Sequence, residues 1–113
     1  MSTTATLDRA PTTVTRWDDL APEAPGAVQR RLIAGEGASL REVRVPAGTT
    51  AARHAHDHEQ FVLVLSGGGR LTGEGTGGEV ALAPGTVIRF APGAWHEAVF
   101  DRETVLVEVN LAR

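Results

Sequence analysis

The stretch Gly48–Gly67, GTTAARHAHDHEQFVLVLSG, holds three of the four histidines of the chain, His54, His56 and His58. Side chains on a β-strand alternate between its two faces, so His54 and His56 are predicted to point to the same side of an extended strand. The fourth histidine, His96, follows forty residues after His56 in the segment APGAWH. Two imidazoles at this spacing, joined by further donors, indicate a site for a transition metal.

Composition limits the class of protein. A chain of 113 residues is long enough for one domain with its own hydrophobic core. The net charge of −3 gives no sign of a nucleic-acid partner, and the absence of cysteine excludes disulfides and thiolate chemistry. No apolar run reaches the roughly 18 residues that span a membrane, and the first residues lack the apolar region of a secretory signal. We therefore predict a soluble, cytoplasmic protein, and the Ala-, Gly- and Arg-rich composition indicates a bacterial source.

The pattern of turns predicts an all-β domain. Residues 1–15 are predicted to be a flexible N-terminal arm and residues 16–113 a single domain. The thirteen glycines and six prolines punctuate short strand candidates at the spacing of a sandwich or barrel. These candidates are Val28–Ile33, Ser39–Val45, Arg53–His56, Gln60–Leu65, Arg70–Gly73, Glu79–Leu82, Thr86–Phe90, His96–Phe100 and Thr104–Val109.

Two of these segments carry more detailed expectations. The nearly continuous apolar run Gln60–Leu65 predicts a strand that is buried on both faces, with Phe61 and Phe90 in the core. The glycine run Gly67–Gly69 lacks a following Lys-Ser/Thr pair and a helix, so we predict a hairpin turn there and exclude a phosphate-binding loop.

The histidine stretch and a later segment together resemble the two signatures of the cupin superfamily, G-x5-H-x-H-x3,4-E-x6-G and G-x5-P-x-G-x2-H-x3-N. The first runs from Gly48 through His54 and His56 to Gly67 with every spacing kept and Gln60 in place of Glu. The second runs from Gly85 to His96, with Ala91 in place of the usual Pro and Phe100 in place of the final Asn. The two signatures cover residues 48–100.

This resemblance implies a fold and a metal site. The fold is a double-stranded β-helix, or jelly-roll barrel, whose two packed sheets enclose the site. The implied ligands of a divalent transition metal, Zn, Fe, Ni or Mn, are His54, His56, Gln60 and His96. Three imidazoles and an amide carbonyl form a neutral set, which leaves the ion strongly electrophilic and favours Lewis-acid chemistry. The resemblance also implies a homodimer that acts on a small molecule, while the charge and the apolar runs described above indicate no nucleic-acid or membrane partner.

Further side chains are candidates for catalysis or binding. His58 shares strand parity with the other two histidines but is predicted to lie beside the metal without binding it, where it can move a proton. Glu108 interrupts the apolar run Thr104–Val109 and faces either solvent or the barrel interior; in the second case it is predicted to transfer protons. Trp95 is either a wall of the binding site or core filler. Three arginines on predicted strands are candidates for holding a carboxylate or phenolate: Arg41, Arg44 and Arg89.

Two classes of function follow. The first is a metal-dependent enzyme that acts on a small oxygenated substrate, such as a sugar acid or a polyketide-like molecule, by isomerase, cyclase or lyase chemistry. The chain is similar to small cupins that cyclise uronates or aromatic polyketides, and a cupin dioxygenase is the alternative within this class. The second class is a non-catalytic cupin that binds a small ligand. Metal content and oxygen consumption distinguish these possibilities.

Overall fold

The computed structural model describes residues 11–112, so most of the predicted N-terminal arm, residues 1–10, lies outside the described part of the chain. Residues 11–15 form no helix or strand, and a single 3-10 turn at Trp17–Asp19 precedes the first strand. No helix within the described range is long and apolar enough to cross a membrane.

Nine strands make up the regular structure of residues 11–112, and each of the nine predicted strands has an observed counterpart. Their bounds are β1 Gln29–Ala34, β2 Ala38–Val45, β3 Thr50–His54, β4 Gln60–Ser66, β5 Gly69–Gly73, β6 Val80–Ala81, β7 Val87–Phe90, β8 His96–Phe100 and β9 Thr104–Leu111.

The strands form two antiparallel sheets that pack face to face. One sheet has the order β1-β2-β9-β4-β7 and the other the order β3-β8-β5-β6. Consecutive strands β3 and β4 lie in different sheets, as do β4 and β5, so the chain passes back and forth between the layers. This arrangement confirms the predicted double-stranded β-helix. Its core consists of apolar side chains from both inner faces: Val43, Val45, Val62, Val64, Leu71, Leu82, Phe90, Ala98, Phe100 and Leu106.

Strand β4 is buried on one face only, which corrects the expectation from its apolar run. Gln60, Val62 and Val64 are buried, whereas Phe61 is only half-buried and Leu65 is 53% exposed. The alternation follows from the two-layer fold, because the inner face of β4 packs in the core between the sheets while its outer face is covered less completely. Phe61 is therefore not a core residue, while Phe90 on β7 is one, as predicted.

The glycine run after β4 is not a hairpin turn, because β4 and β5 belong to different sheets. Gly67 has a positive φ of 98°, which residues with a side chain rarely adopt. A Cβ atom on Gly69 would lie 2.2 Å from the carbonyl oxygen of Val99. The run is thus a tight crossing between the layers. The fully buried Thr104 closes it by accepting a hydrogen bond from the Gly68 amide at 3.1 Å.

Candidate metal centre

Three of the four histidines come together where the ends of β3 and β8 meet. His54 is the last residue of β3, His96 is the first residue of β8, and the two are opposite each other in the antiparallel register. Side-chain nitrogen atoms of His54, His56 and His96 all lie within 4.8 Å of one another. Imidazole binds zinc at about 2.0–2.1 Å, so nitrogen atoms this close together are near the spacing of ligands that share one ion.

Backbone carbonyl groups orient two of these rings. His54 Nδ1 lies 2.6 Å from the Ala52 oxygen, and His96 Nδ1 lies 3.2 Å from the Ala94 oxygen. A carbonyl oxygen only accepts hydrogen bonds, so each Nδ1 carries the proton and each Nε2 keeps a free lone pair. This second hydrogen bond is the usual arrangement for histidines that bind metals. The residues present therefore fit a metal ion.

His56 reaches the group by a different route from the one predicted. Strand β3 ends at His54, so His56 lies in the connection of residues 55–59 and strand alternation does not position it. The Gly93 amide donates a 2.6 Å hydrogen bond to the His56 carbonyl oxygen, and the Leu111 amide donates to the Glu59 oxygen at 3.1 Å. These two bonds fix both ends of the turn that presents the second imidazole.

The electrostatics of the group favour neutral imidazoles. Burial lowers the pKa of His96 below its ordinary value, and the neighbouring His54 and His56 lower it further, against a smaller opposite effect of the hydrogen bond to Ala94. Burial likewise lowers the pKa of His56, with added contributions from His54 and His58. Neutral imidazole is the form that binds a metal, so the lowered pKa values of His56 and His96 favour metal binding.

Gln60 lies at the same end of the barrel. It is the first residue of β4, is only 3% exposed, and lines the same cavity as His54 and His96. Its Nε2 donates a 2.8 Å hydrogen bond to Asn110 Oδ1. Because the amide nitrogen is engaged in this way, the carbonyl oxygen is the atom that Gln60 can offer to an ion. Binding of a metal by Gln60 remains a prediction.

A cavity of about 220 Å³ between the two sheets opens onto this histidine group. Most of its wall is apolar. Its polar lining consists of Arg30, Thr49, Thr50, His54, Gln60, His96 and Glu108.

Glu108 faces this interior, which decides between the two orientations that the sequence left open. It is opposite Val62 of β4 and Arg41 of β2 in the register, and its side chain is 23% exposed. Burial raises the pKa of the Glu108 carboxyl, while Arg41 and Arg30 oppose that shift. A carboxyl with a raised pKa beside a histidine group is typical of catalytic sites.

The combination of two packed sheets, a histidine group at one end and a cavity behind it corresponds to a known family. The family model described as "Cupin domain" matches residues 41–110, which is more than half of the chain. The chain is a cupin. No curated protein sequence matches it significantly.

Solved structures of other cupin-like proteins share this fold at low sequence identity. KdgF from Halomonas sp. is 22% identical with a TM-score of 0.72, covering 85% of this chain and 92% of its own. Ectoine synthase from P. lautus is 17% identical with a TM-score of 0.78, covering 88% of this chain and 78% of its own. A predicted oxalate decarboxylase from Thermotoga maritima is 19% identical with a TM-score of 0.76, covering 89% of this chain and 100% of its own. These similarities show the fold of this cupin and nothing finer.

The remaining histidine of the cupin stretch, His58, is not one of the three grouped histidines, although its ring centre lies 5.2 Å from that of His56. His58 Nε2 donates to Asn110 Oδ1 at 2.9 Å, so Asn110 joins His58 to Gln60. Asn110 is not among the site residues predicted from the sequence. Its position two residues after Glu108 on β9 is the signal that places both side chains on one face of the strand.

The predicted carboxylate-binding arginines are engaged elsewhere. Arg41 Nη2 donates to Glu23 Oε2 at 3.2 Å, Arg44 is paired with Glu42 and Asp18, and Arg89 is paired with Glu59. None of the three lines the cavity, whereas Arg30 of β1 does.

Trp95 is neither core filler nor a wall of the cavity. It precedes the inward-facing His96 and is half-buried, and the Arg53 guanidinium lies 3.8 Å from the centre of its ring. Trp95 therefore belongs to the outer side of β8.

Proposed function

We propose that this cupin is a metal-dependent enzyme that acts on a small oxygenated molecule by isomerase, cyclase or lyase chemistry. The observation that carries the proposal is the cavity that joins the histidine group to a half-buried carboxyl, Glu108. An apolar cavity with a few converging polar groups is the usual form of a small-molecule site. The names of two structural relatives, ectoine synthase and a predicted oxalate decarboxylase, are those of enzymes and support the same class.

The metal in this proposal is held by His54, His56 and His96, with the carbonyl oxygen of Gln60 as a fourth donor. When bound, a divalent ion supplies a Lewis acid that polarises a carbonyl or stabilises an enolate oxygen. All four donors are uncharged, so the protein itself does not offset the charge of the ion. The Asn110 bridge holds the Gln60 amide in one orientation and connects it to His58.

Glu108 moves the proton in this proposal. Its carboxyl faces the cavity close to Gln60. Glu108 lies opposite Val62, and Val62 is the next residue after Gln60 on the inner face of β4. The raised pKa keeps a share of the carboxyl protonated nearer to neutral pH, so that the group can both accept and return a proton. His58 does not line the cavity, and in this proposal its role is to orient Asn110.

Metal analysis of the purified protein, followed by a screen of uronates and aromatic polyketides with and without oxygen, tests this function. We expect a divalent transition metal at one ion per chain and turnover that does not require oxygen. Turnover that consumes oxygen would replace the proposal with a dioxygenase. Ligand binding that survives complete loss of metal, without any turnover, would replace it with a non-catalytic binding protein.

We predict that Glu108→Gln lowers kcat on the substrate found in that screen by about 10²–10⁴-fold, the usual contribution of a general acid or base. The metal content should stay at the wild-type level, because Glu108 is not among the three grouped histidines. Glu97→Gln is the matched control, since Glu97 is 40% exposed and is paired with Arg53. Wild-type turnover in Glu108→Gln would exclude proton transfer by this residue and direct attention to His58.

We further propose that the functional unit is a homodimer formed through the outer face of the five-stranded sheet. Neighbouring strands β4 and β9 place a continuous set of half-buried or exposed apolar side chains on that face: Phe61, Leu63, Leu65, Val105, Val107 and Val109. Ion pairs flank it, Arg89 with Glu59 on one side and Arg44 with Glu42 on the other. An apolar centre with a charged rim suits a symmetric contact between two copies.

Leu65→Glu tests the proposed dimer. Leu65 is 53% exposed, so the fold should tolerate the charge while the contact between two copies does not. We expect light scattering to give the mass of a dimer for the wild type and that of a monomer for the variant. Ala81→Glu, at an exposed position on β6 of the four-stranded sheet, should remain dimeric. A monomeric wild type, or a dimeric Leu65→Glu protein, would contradict the assignment.

A further inference from the structure

The cavity has a charged group at its open side that the proposed reaction does not use. Arg30 belongs to β1, an edge strand of the five-stranded sheet, and its side chain lines the cavity although the residue as a whole is exposed. Thr50 lines the same cavity from β3, an edge strand of the other sheet. The cavity is thus bordered by both edges, and the exposure of Arg30 marks where it opens to solvent.

Arg30 has no protein partner of its own within residues 11–112. It makes no ion pair and no side-chain hydrogen bond there, whereas Arg41, Arg44 and Arg89 are all paired with acidic residues. Burial raises the pKa of the Glu108 carboxyl and the positive charge of Arg30 opposes that rise, but the ion pair of Glu108 is with Arg41, whose guanidinium lies 4.0 Å away. The guanidinium of Arg30 is therefore free to bind an anion.

The strand register places the polar groups of the cavity in a fixed order. At one end, Phe90 is paired with Gln60 and stacks on His96 with 3.8 Å between ring centres. Glu108 follows at the level of Val62. Arg30 comes last. It lies opposite Val43 of β2, Val43 lies opposite Leu106 of β9, and Leu106 lies opposite Val64 of β4. Arg30 is therefore at the level of Val64.

Along β4, the level of Arg30 is four residues from that of Gln60, or about 13 Å at the usual rise of a strand. The cavity is thus lined by the histidine group at one backbone level, by Glu108 at the next inward-facing level, and by Arg30 from the far level, with its charge acting on Glu108. Between these groups the wall is apolar, with Val43, Val62 and Leu106 among its residues.

We infer that Arg30 is the specificity-determining residue of the proposed active site and binds the carboxylate of a small acid. The oxygen function that reacts then faces the histidine group, and the carbon skeleton lies against the apolar wall. A guanidinium binds a carboxylate through two parallel hydrogen bonds, which fixes orientation as well as charge. One unpaired arginine near the acidic Glu108 matches a single negative charge better than a phosphate dianion. This inference rests on the proposed function, since it assigns the substrate class of the same cavity.

Binding of matched acid and neutral probes tests the inference. The probes are benzoate with benzamide, D-galacturonate with D-galactose, and inorganic phosphate, each titrated calorimetrically into the zinc-loaded and the metal-free full-length protein. We expect the acid of at least one pair to bind more tightly than its neutral partner. Arg30→Gln should weaken that acid by about 10- to 100-fold and leave the neutral probe unchanged, as loss of a charge-assisted contact requires.

Two further variants make the outcome specific. Arg53→Gln removes an arginine that stacks on Trp95 outside the cavity, and it should bind the acid as the wild type does. Arg30→Lys keeps the charge but loses the paired hydrogen bonds, so it should restore only part of the affinity. Because Arg30 is exposed on an edge strand, denaturant unfolding should show that all three variants fold.

The two proposals fail in distinguishable ways. Equal binding of the acid by wild type and Arg30→Gln, a preference for phosphate, or no binding of either acid would overturn the assignment to Arg30. Absence of zinc binding would overturn the proposed metal-dependent function. The Arg30 assignment would then survive only if Arg30→Gln still weakened the acid in the metal-free protein.

Discussion

The His96→Ala protein is expected to lose metal binding by more than about 100-fold, because removal of residues that merely support a ligand already costs about 10- to 100-fold. His96 is 6% exposed and its Nδ1–H is held by the Ala94 carbonyl, so its Nε2 is an oriented donor that the alanine side chain cannot replace. Titration with Co²⁺, followed by its visible absorption, and with Zn²⁺ by calorimetry measures the loss. Retention of wild-type affinity would refute the three-histidine site.

Two companion variants separate loss of a ligand from loss of fold. His54→Ala removes an exposed imidazole of the same group, so it should lose the metal with little change in the free energy of unfolding. His58→Ala removes the imidazole that binds Asn110 outside the group, and it should still bind one ion per chain. If His58→Ala lost the ion as completely as His96→Ala, then His58 would have to be counted as a ligand.

The Gly67→Ala protein is expected to lose about 2–5 kcal/mol of its free energy of unfolding. The positive φ of 98° costs a residue with a side chain about 1–2 kcal/mol. The added Cβ would lie 2.4 Å from the Glu103 carbonyl oxygen and 2.5 Å from the Thr104 Cα, which adds a cost of about 1–3 kcal/mol for overpacking. Urea unfolding with a comparison of midpoints and slopes measures the change.

Three other glycines isolate the two causes. Gly48 has a φ of 85° and open space around its Cβ position, so Gly48→Ala should cost only the conformational part. Gly69 does not have a positive φ, but its Cβ would meet the Val99 oxygen, so Gly69→Ala should cost the packing part. Gly68→Ala has neither problem, since its nearest contact is 3.8 Å away, and it should be almost neutral. Equal stability of Gly67→Ala and Gly68→Ala would refute the close crossing between the sheets.

The register of the strands explains how far the histidine stretch could be interpreted from sequence. His54 and His96 occupy positions that local signals define, one at the end of a strand and one at the start of another, and the motif spacing identified both. His56 was assigned to the right group for an incomplete reason. Strand β3 stops at His54, and two hydrogen bonds from distant residues, Gly93 and Leu111, hold the turn that carries His56. Such bonds leave no mark in the local sequence.

The burial of β4 shows a different limit. An apolar run indicates a strand, and β4 begins at Gln60 as predicted. Whether one face or both are covered depends on the layers that the rest of the chain supplies, and here Leu65 remains exposed. The same uncertainty affected the glycine run, which resembles a hairpin locally but connects two sheets.

By itself, the sequence of Gly48–Gly67 together with His96 determined the class of fold and three residues of the candidate metal centre. It could do so because the spacing of these residues resembles the two cupin signatures, and that resemblance implies both the fold and the histidine ligands. Only the tertiary structure decided that Glu108 faces the interior, that Arg30 rather than Arg41 lines the cavity, and that Asn110 joins Gln60 to His58. The physical reason is that these contacts join strands far apart in the chain, and their register depends on the packing of two complete sheets.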